Sequence, residues 1–417
     1  MRFNHPSLIT AAVAAATIVC LALASNASAA DQFKIVHPFT SAERLRGRLV
    51  RDAAGNLYGT ASTGTGSFFY GIVFELSPKS DGEWTADTLH VFGPSAFSPT
   101  GGLVFDQTGN LYGTTSGPGG ALYKLTKNAS GTWTFSVPYD FKVLGPSDPY
   151  GDLTADTSGN FYGVAQDNLP IERTAGTVFE LRHNPNGTWN APALYTFIAD
   201  STLSYPHGAL PNGGLVFDKA GNLYGTAWGG GNSGAECDAS YGCGVVFKLA
   251  PNSAGSWTQT VIYRFSGPDG ANPAAGLAID NDGNLYGTAS GGGTDGAGTV
   301  FKLTLNSGKT WSESIIHDFS GGDDGNGPFG GITLGPDGSL YGTTAYGGCA
   351  FSVCNGGCGV VFRLTPTPGG WTEAVLHAFS GYAQAPDAPL LLDNKGDVFG
   401  SAQLGNTTNG LIFEITP

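Results

Sequence analysis

The sequence predicts an all-β fold: a seven-bladed β-propeller with four antiparallel strands per blade, closed by pairing the N-terminal strand into the last blade. Three observations predict it. A short phrase recurs seven times, each recurrence sits among four β-type runs, and the two chain ends supply each other's missing part.

The phrase Gly-Asn-Leu-Tyr-Gly-Thr starts at Gly55, Gly221 and Gly283, and returns with small changes at Gly109, Gly159, Gly338 and Gly396. In the unit around Gly283 the four runs are Gly276 to Asp280, Asn284 to Thr288, Gly298 to Leu303 and Trp311 to Phe319, here called A to D. Runs A and C are near-continuous apolar stretches, as in Leu215-Val216-Phe217 and Val245-Val246-Phe247. Strands buried on both faces read this way, and blades stacked face to face bury their inner strands so. The Gly after the run-B Tyr, as in Tyr286-Gly287, is expected to make room for an aromatic ring from a neighbouring blade. The last unit has A (Leu390 to Asp393), B (Asp397 to Ser401) and C (Gly410 to Ile415) but no D, while the spare run Phe33 to Phe39 matches Ala374 to Phe379. Joining the two removes a pair of exposed sheet edges.

Two residues separate each run-A Asp from the following Gly, from Asp52 and Gly55 through Asp393 and Gly396, with Gly335 alone replacing the Asp. This is hairpin chemistry: the carboxylate accepts turn N–H bonds and the Gly takes positive φ. Six of the seven tryptophans fall at one position opening run D, which marks them as packing residues. Length varies elsewhere. Between the run-B Thr and the Gly opening run C there are five residues after Thr114, seventeen after Thr226 and fifteen after Thr343. In a four-stranded meander the B–C and D–A loops share one face, so the variable face and its channel mouth are the expected working surface.

Residues 1–29 read as a cleaved secretory signal, with Arg2, an apolar stretch from Leu8 to Ala24 and the small residues Ala27 and Ala29 before the cut. Residues 30–417 then form a single propeller domain, secreted or periplasmic, without membrane insertion and acting as a monomer. A net charge of −14 argues against nucleic acid as partner. In an oxidising compartment Cys237 and Cys243 are expected to pair, and Cys358 to pair with Cys349 or Cys354; one thiol is left over.

No nucleophile–base pair or metal-ligand spacing emerges, and no cofactor is expected. His37, His90, His317 and His377 share one run-D position with Tyr139, Tyr195 and Tyr263, a pattern of space filling. The candidate binding residues are Arg48 and Arg51 at the first inner strand, facing the channel or pairing with acidic neighbours, and Trp228 and Tyr346 in the two longest B–C loops, stacking on a ligand or on their own loops. Asp269 and Asp323, with Asp324, sit on the same face, where a weak calcium site is conceivable.

The unit Gly-Leu-Ala-Ile-Asp-x-x-Gly-Asn-Leu-Tyr-Gly-Thr, then Gly-Thr-Val-Phe-Lys-Leu, then Trp and Ile-Ile-His-x-Phe-Ser resembles the bacterial GloVer tandem repeat of "choice-of-anchor" proteins, over essentially the whole mature chain. The A–B hairpin is also similar to the NHL propeller repeat. The resemblance implies an exported bacterial protein with no assigned biochemical role. The end at Pro417 without a sorting segment favours free secretion or periplasmic residence over anchoring. The expected function is a binding or scaffold module, more non-enzymatic than enzymatic, recognising an extracellular glycan, peptide or protein. The alternative is an exported propeller enzyme of polysaccharide lyase, hydrolase or lactonase type, with its site at the channel mouth.

Overall fold

The computed structural model describes residues 31–39, 43–45, 47–63, 70–93, 98–99, 101–116, 120–141, 148–166, 174–200, 204–234, 237–238, 240–253, 255–348, 356–380, 383–404 and 410–416. The expected signal segment 1–29, Cys20 with it, and Arg46, Cys349 and Cys354 lie outside them.

Seven antiparallel sheets are formed by the described residues. Blade 5 is representative, with strand A Ala278–Ile279, B Leu285–Ala289, C Thr299–Leu305 and D Trp311–Asp318. Blade 7 is composite. It takes Leu391–Leu392, Val398–Leu404 and Gly410–Thr416 from the C-terminal end and Gln32–Pro38 from the N-terminal end. Phe33 pairs with Ile415 and Ile35 with Phe413, and the Phe39 amide donates to the Gly410 carbonyl at 2.9 Å. Arg51 of blade 1 adds an ion pair across the seam to Asp393 of blade 7 at 2.6 Å. The expected closure is therefore present, made by strand pairing and by a charged clasp.

Burial grades outward differently from the sequence expectation. Strands B and C are buried, as in the wholly buried Leu285–Ala289, whereas strand A residues such as Val104 and Phe105, which line the channel, are half-buried. Glycines let the A strands crowd the axis. A Cβ on Gly213, whose φ is +73°, would lie 2.1 Å from the Gly276 nitrogen, and one on Gly101 would lie 2.0 Å from the Gly151 oxygen.

The aromatic core repeats at every joint. The strand D Phe of one blade meets the strand C ring of the next, as in Phe39–Phe74, Phe265–Phe301 and Phe379–Phe413, with ring centroids 5.1 to 5.4 Å apart. The strand C ring lies across its own blade's strand B Gly: a Cβ on Gly287 would be 2.5 Å from Phe301 Cζ. The glycine thus accommodates the cross-strand neighbour within its own blade, not a ring from the next blade, because Gly287 and Phe301 are register partners.

On the constant face each run-A Asp serves its hairpin as the sequence indicates. Asp280 accepts from the Asp282 and Asn284 amides, both at 2.9 Å, and from the Tyr286 hydroxyl at 3.0 Å. Burial acts against the charge, but these bonds hold Asp52, Asp106, Asp218 and Asp280 below the ordinary aspartate pKa. The strand B Tyr also packs on the next blade's Trp, as in Tyr58–Trp133 and Tyr224–Trp311, both at 5.8 Å.

Blade 2 breaks the aromatic rule. Tyr123 stands where other blades carry Phe, and its hydroxyl is fully buried with no hydrogen-bond partner among the described residues. A buried, unpaired hydroxyl costs about 1–3 kcal/mol. Tyr123→Phe is therefore expected to raise the stability measured by urea unfolding by about 1 kcal/mol; a loss of stability would show that the hydroxyl has a partner.

Candidate functional site

Each strand D carries a His or Tyr that faces the next blade, and the residue it meets lies four positions before that blade's own His or Tyr. Two joints fill this slot with stacked rings. His90 lies flat on Phe135 at 3.6 Å, and His377 on Phe33 at 3.8 Å. Burial lowers the pKa of both histidines, His377 to about 4, so they are neutral packing residues as expected.

Between blades 4 and 5, and between 5 and 6, the slot holds glutamate. Glu313 faces Tyr263, and Glu373 faces His317. Each joint gains a second carboxylate from the D–A loop, held in place by the loop's serine. Ser266 donates to Asp269 through its amide at 2.8 Å and its hydroxyl at 2.9 Å, and Ser320 donates to Asp324 at 2.8 and 2.5 Å. At the blade 4–5 joint the Tyr263 hydroxyl donates to Asp269 at 2.5 Å. At the blade 5–6 joint an imidazole takes the phenol's place. His317 Nε2 stands 3.6 Å from Asp324 Oδ2 and 3.7 Å from Glu373 Oε2, each side chain about one-fifth exposed.

This second cluster is electrostatically unfinished. Nε2 of His317 and Oε1 of Glu373 are buried without hydrogen-bond partners among the described residues. Burial pushes Glu373 up to about 7, and the Asp324 carboxylate adds to the rise. Burial also lowers His317, against the opposing pull of Asp324. A proton relieves the strain, and so would a divalent cation. The donor atoms of His317, Asp324 and Glu373 all lie within 4.8 Å of one another. Tetrahedral ligands on bonds of about 2.1 Å sit about 3.4 Å apart, near the two observed separations. The cluster could therefore hold a metal ion. One imidazole and two carboxylates suit zinc or a related first-row ion better than calcium, which takes six to eight oxygens. Of the carboxylates named for a weak calcium site, Asp269 is engaged by Tyr263 and Ser266, Asp323 is exposed, and only Asp324 enters the cluster.

The remaining candidates gather at the axis. Arg48, Arg51, Trp228 and Tyr346 all line a central channel of about 880 Å³, joined by Asp152, Asp387 and Phe329. Asp269 and Asp323 do not line it. Arg51 is engaged by Asp393, whereas Arg48 is exposed and has no partner among the described residues. The two loop aromatics divide between their alternatives. Trp228 is half-buried, 6.4 Å from Tyr241 of its own loop, while Tyr346 is 46% exposed. Cys237 and Cys243 are joined as expected, which braces the Trp228 loop. Cys358 is also disulfide-bonded, to a partner outside the described residues. No described helix is long and apolar enough to cross a membrane.

The model of the Gloeobacter/Verrucomicrobia repeat matches residues 22–237 and again 235–417. The chain belongs to this family. No curated protein is significantly similar to the repeat chain. Among solved structures it is similar to a candidate 6-phosphogluconolactonase from Bacteroides fragilis (14% identity, 94% of this chain and 100% of that one, TM-score 0.48). It is also similar to a candidate gluconolactonase (15%, 93% and 92%, 0.44) and to a luciferin-regenerating enzyme (12%, 93% and 95%, 0.42).

The expectation that the repeat chain is more non-enzymatic than enzymatic is corrected by the His317–Asp324–Glu373 cluster, a donor set suited to metal or proton chemistry. Sequence reasoning placed His317 among the packing residues and passed over Glu373. The available signal was a charge at the slot where other blades carry Phe33, Ala86, Phe135, Ala191 or Gln259.

The raised carboxyls give a pH signature. Glu313 and Glu373 both reach about 7 in the fold against an ordinary 4.5. Between those values the folded chain keeps protons that the unfolded chain has released, so each group's contribution is present below 4.5 and is lost as pH rises through 7. Unfolding in chelator at pH 5, 6, 7 and 8 is expected to show Glu313→Gln and Glu373→Gln gaining stability relative to wild type as pH rises. A difference that is flat with pH would show that neither carboxyl is raised.

Proposed function

We propose that this repeat chain is an exported, metal-assisted hydrolase of ester or lactone bonds, with its reaction centre at the His317–Asp324–Glu373 cluster. The observation that carries the reading is the convergence of three donor side chains from two blades, with one imidazole nitrogen and one carboxylate oxygen left unpaired among the described residues. Three protein ligands leave coordination positions open, the pattern of catalytic rather than structural sites. A divalent ion held there would polarise an ester carbonyl and lower the pKa of water. His317 is positioned by its edge-to-face contact with Phe319 at 4.6 Å, and Asp324 by Ser320. In the net reaction the acyl C–O bond breaks, a hydroxyl adds to the acyl carbon and a proton passes to the leaving alkoxide.

Export rests on the apolar N-terminal segment and is supported by the Cys237–Cys243 disulfide, since such bonds persist in oxidising compartments.

The test combines metal analysis with turnover. Purified full chain, stripped with chelator and refilled with zinc, manganese or calcium, is expected to bind one transition-metal ion and to hydrolyse members of an ester and lactone panel. His317→Ala and Glu373→Gln should each lower kcat/KM at least about 100-fold, since loss of a ligand should exceed the 10–100-fold effect of outer-shell changes. Asp323→Asn, beside the cluster but outside it, should not. Sub-stoichiometric metal, or hydrolysis indifferent to both variants, would overturn the proposal.

A further inference from the structure

We infer that the mouth of the central channel is a saccharide-binding subsite, with Tyr346 and Phe329 as its stacking platform. The inference deepens the hydrolase reading by naming what the substrate carries; the binding itself does not depend on the metal.

The platform is built into the backbone. Tyr346 lies in the B–C loop of blade 6 and Phe329 in the D–A loop that enters blade 6. Asn326 of that D–A loop and Tyr346 exchange both backbone hydrogen bonds, each 2.9 Å. The Gly327 carbonyl accepts from both the Phe329 and the Ala345 amides, again at 2.9 Å. Both rings press on Gly327: a Cβ there would lie 3.0 Å from Phe329 Cε2 and 3.3 Å from Tyr346 Cδ2. The rings are nonetheless open to solvent, Tyr346 by 46% and Phe329 by 37%. Large aromatic side chains held rigidly by backbone pairing, yet left uncovered, favour a flat apolar ligand face.

The surroundings select the kind of ligand. Both rings line the central channel together with Arg48, Asp152 and Asn212. Asp152 spends one oxygen on the Gly102 amide at 2.6 Å and Asn212 its carbonyl on the Gly213 amide at 3.0 Å, leaving a carboxylate oxygen and an amide group beside the unpaired Arg48. Aromatic faces next to a mixture of neutral, acidic and basic hydrogen-bonding groups match a sugar ring, which offers apolar C–H faces and a rim of hydroxyls. With Asp152 and Asp387 beside Arg48, the channel has no excess positive charge to select a polyanion. A cavity of about 880 Å³ holds a small oligosaccharide and excludes a folded protein. The platform and the cluster share the D–A loop that enters blade 6, Asp324 preceding the paired Asn326 by two residues, while none of His317, Asp324 and Glu373 lines the channel.

The probe is a panel of cello-, xylo-, malto- and chito-oligosaccharides with oligogalacturonate, titrated calorimetrically into the full chain in chelator so that binding is read without turnover. At least one oligosaccharide is expected to bind. Tyr346→Ala and Phe329→Ala should each weaken it about tenfold, as expected for an aromatic contact worth about 1.4 kcal/mol. Leu305→Ala, a comparably exposed apolar residue on the opposite face, should not. Melting curves establish that the variants fold. No binding by wild type, or equal binding by both platform variants, would overturn the inference. Sugar binding without metal-dependent turnover leaves the platform standing and removes the hydrolase. Metal-dependent ester turnover that neither ring substitution affects does the reverse.

Discussion

At each joint between blades a phenylalanine near the end of an outer strand meets, edge-on, the aromatic ring at the centre of the next blade, and that ring lies over a glycine. The motif runs through Phe39–Phe74, Phe92–Tyr123, Phe141–Phe179, Phe197–Phe247, Phe265–Phe301, Phe319–Phe362 and Phe379–Phe413, and so returns to its starting blade. Every other feature depends on this spacing. It fixes the distance between blades, and hence which outer-strand residue reaches which partner across the joint. It also needs a complete circle, because Phe39, on the N-terminal strand, is the only bridge from blade 7 to blade 1 in the series.

The same geometry explains why chemistry can arise on a packing surface. The slot facing each strand D His or Tyr lies just outside the aromatic bridge, where a stacked Phe, a small residue or a glutamate can be accommodated without moving the blades. His90 and His377 stack on Phe, and the slot is inert. With Glu373 opposite His317 and Asp324 folded over from the loop, the same slot becomes a cluster of unsatisfied donors. The blade 4–5 joint shows an intermediate solution, in which the Tyr263 hydroxyl donates to Asp269 while Glu313 keeps a raised pKa. A rigid scaffold thereby carries a different set of side chains at one joint while its neighbours hold position.

Much of this was legible in the sequence. The repeat, the missing last strand and the spare first strand led directly to the ring, since unpaired sheet edges must find partners. The Asp turns and the Trp positions followed from constant spacing. Loop lengths pointed to the B–C and D–A face as the working surface, and Arg48, Arg51, Trp228 and Tyr346 do share one channel. What escaped was adjacency between blades. The Gly287 pocket was assigned to a neighbouring blade because strand register is not written in the pattern of apolar runs. Glu373 and His317 are 56 residues apart, and only the offset of four between facing outer strands shows that they meet. Phe329 escaped for a related reason: its exposure depends on how Gly327 and Asn326 fold the loop back toward Tyr346.

The central functional claim is that one inter-blade slot holds a metal ion between blades 5 and 6. Anomalous X-ray scattering from crystals of the full chain grown with zinc tests it most directly. The account predicts a single strong peak about 2 Å from His317 Nε2 and from carboxylate oxygens of Asp324 and Glu373. A protein that diffracts well with no peak there, or with its ordered metal elsewhere, would contradict it.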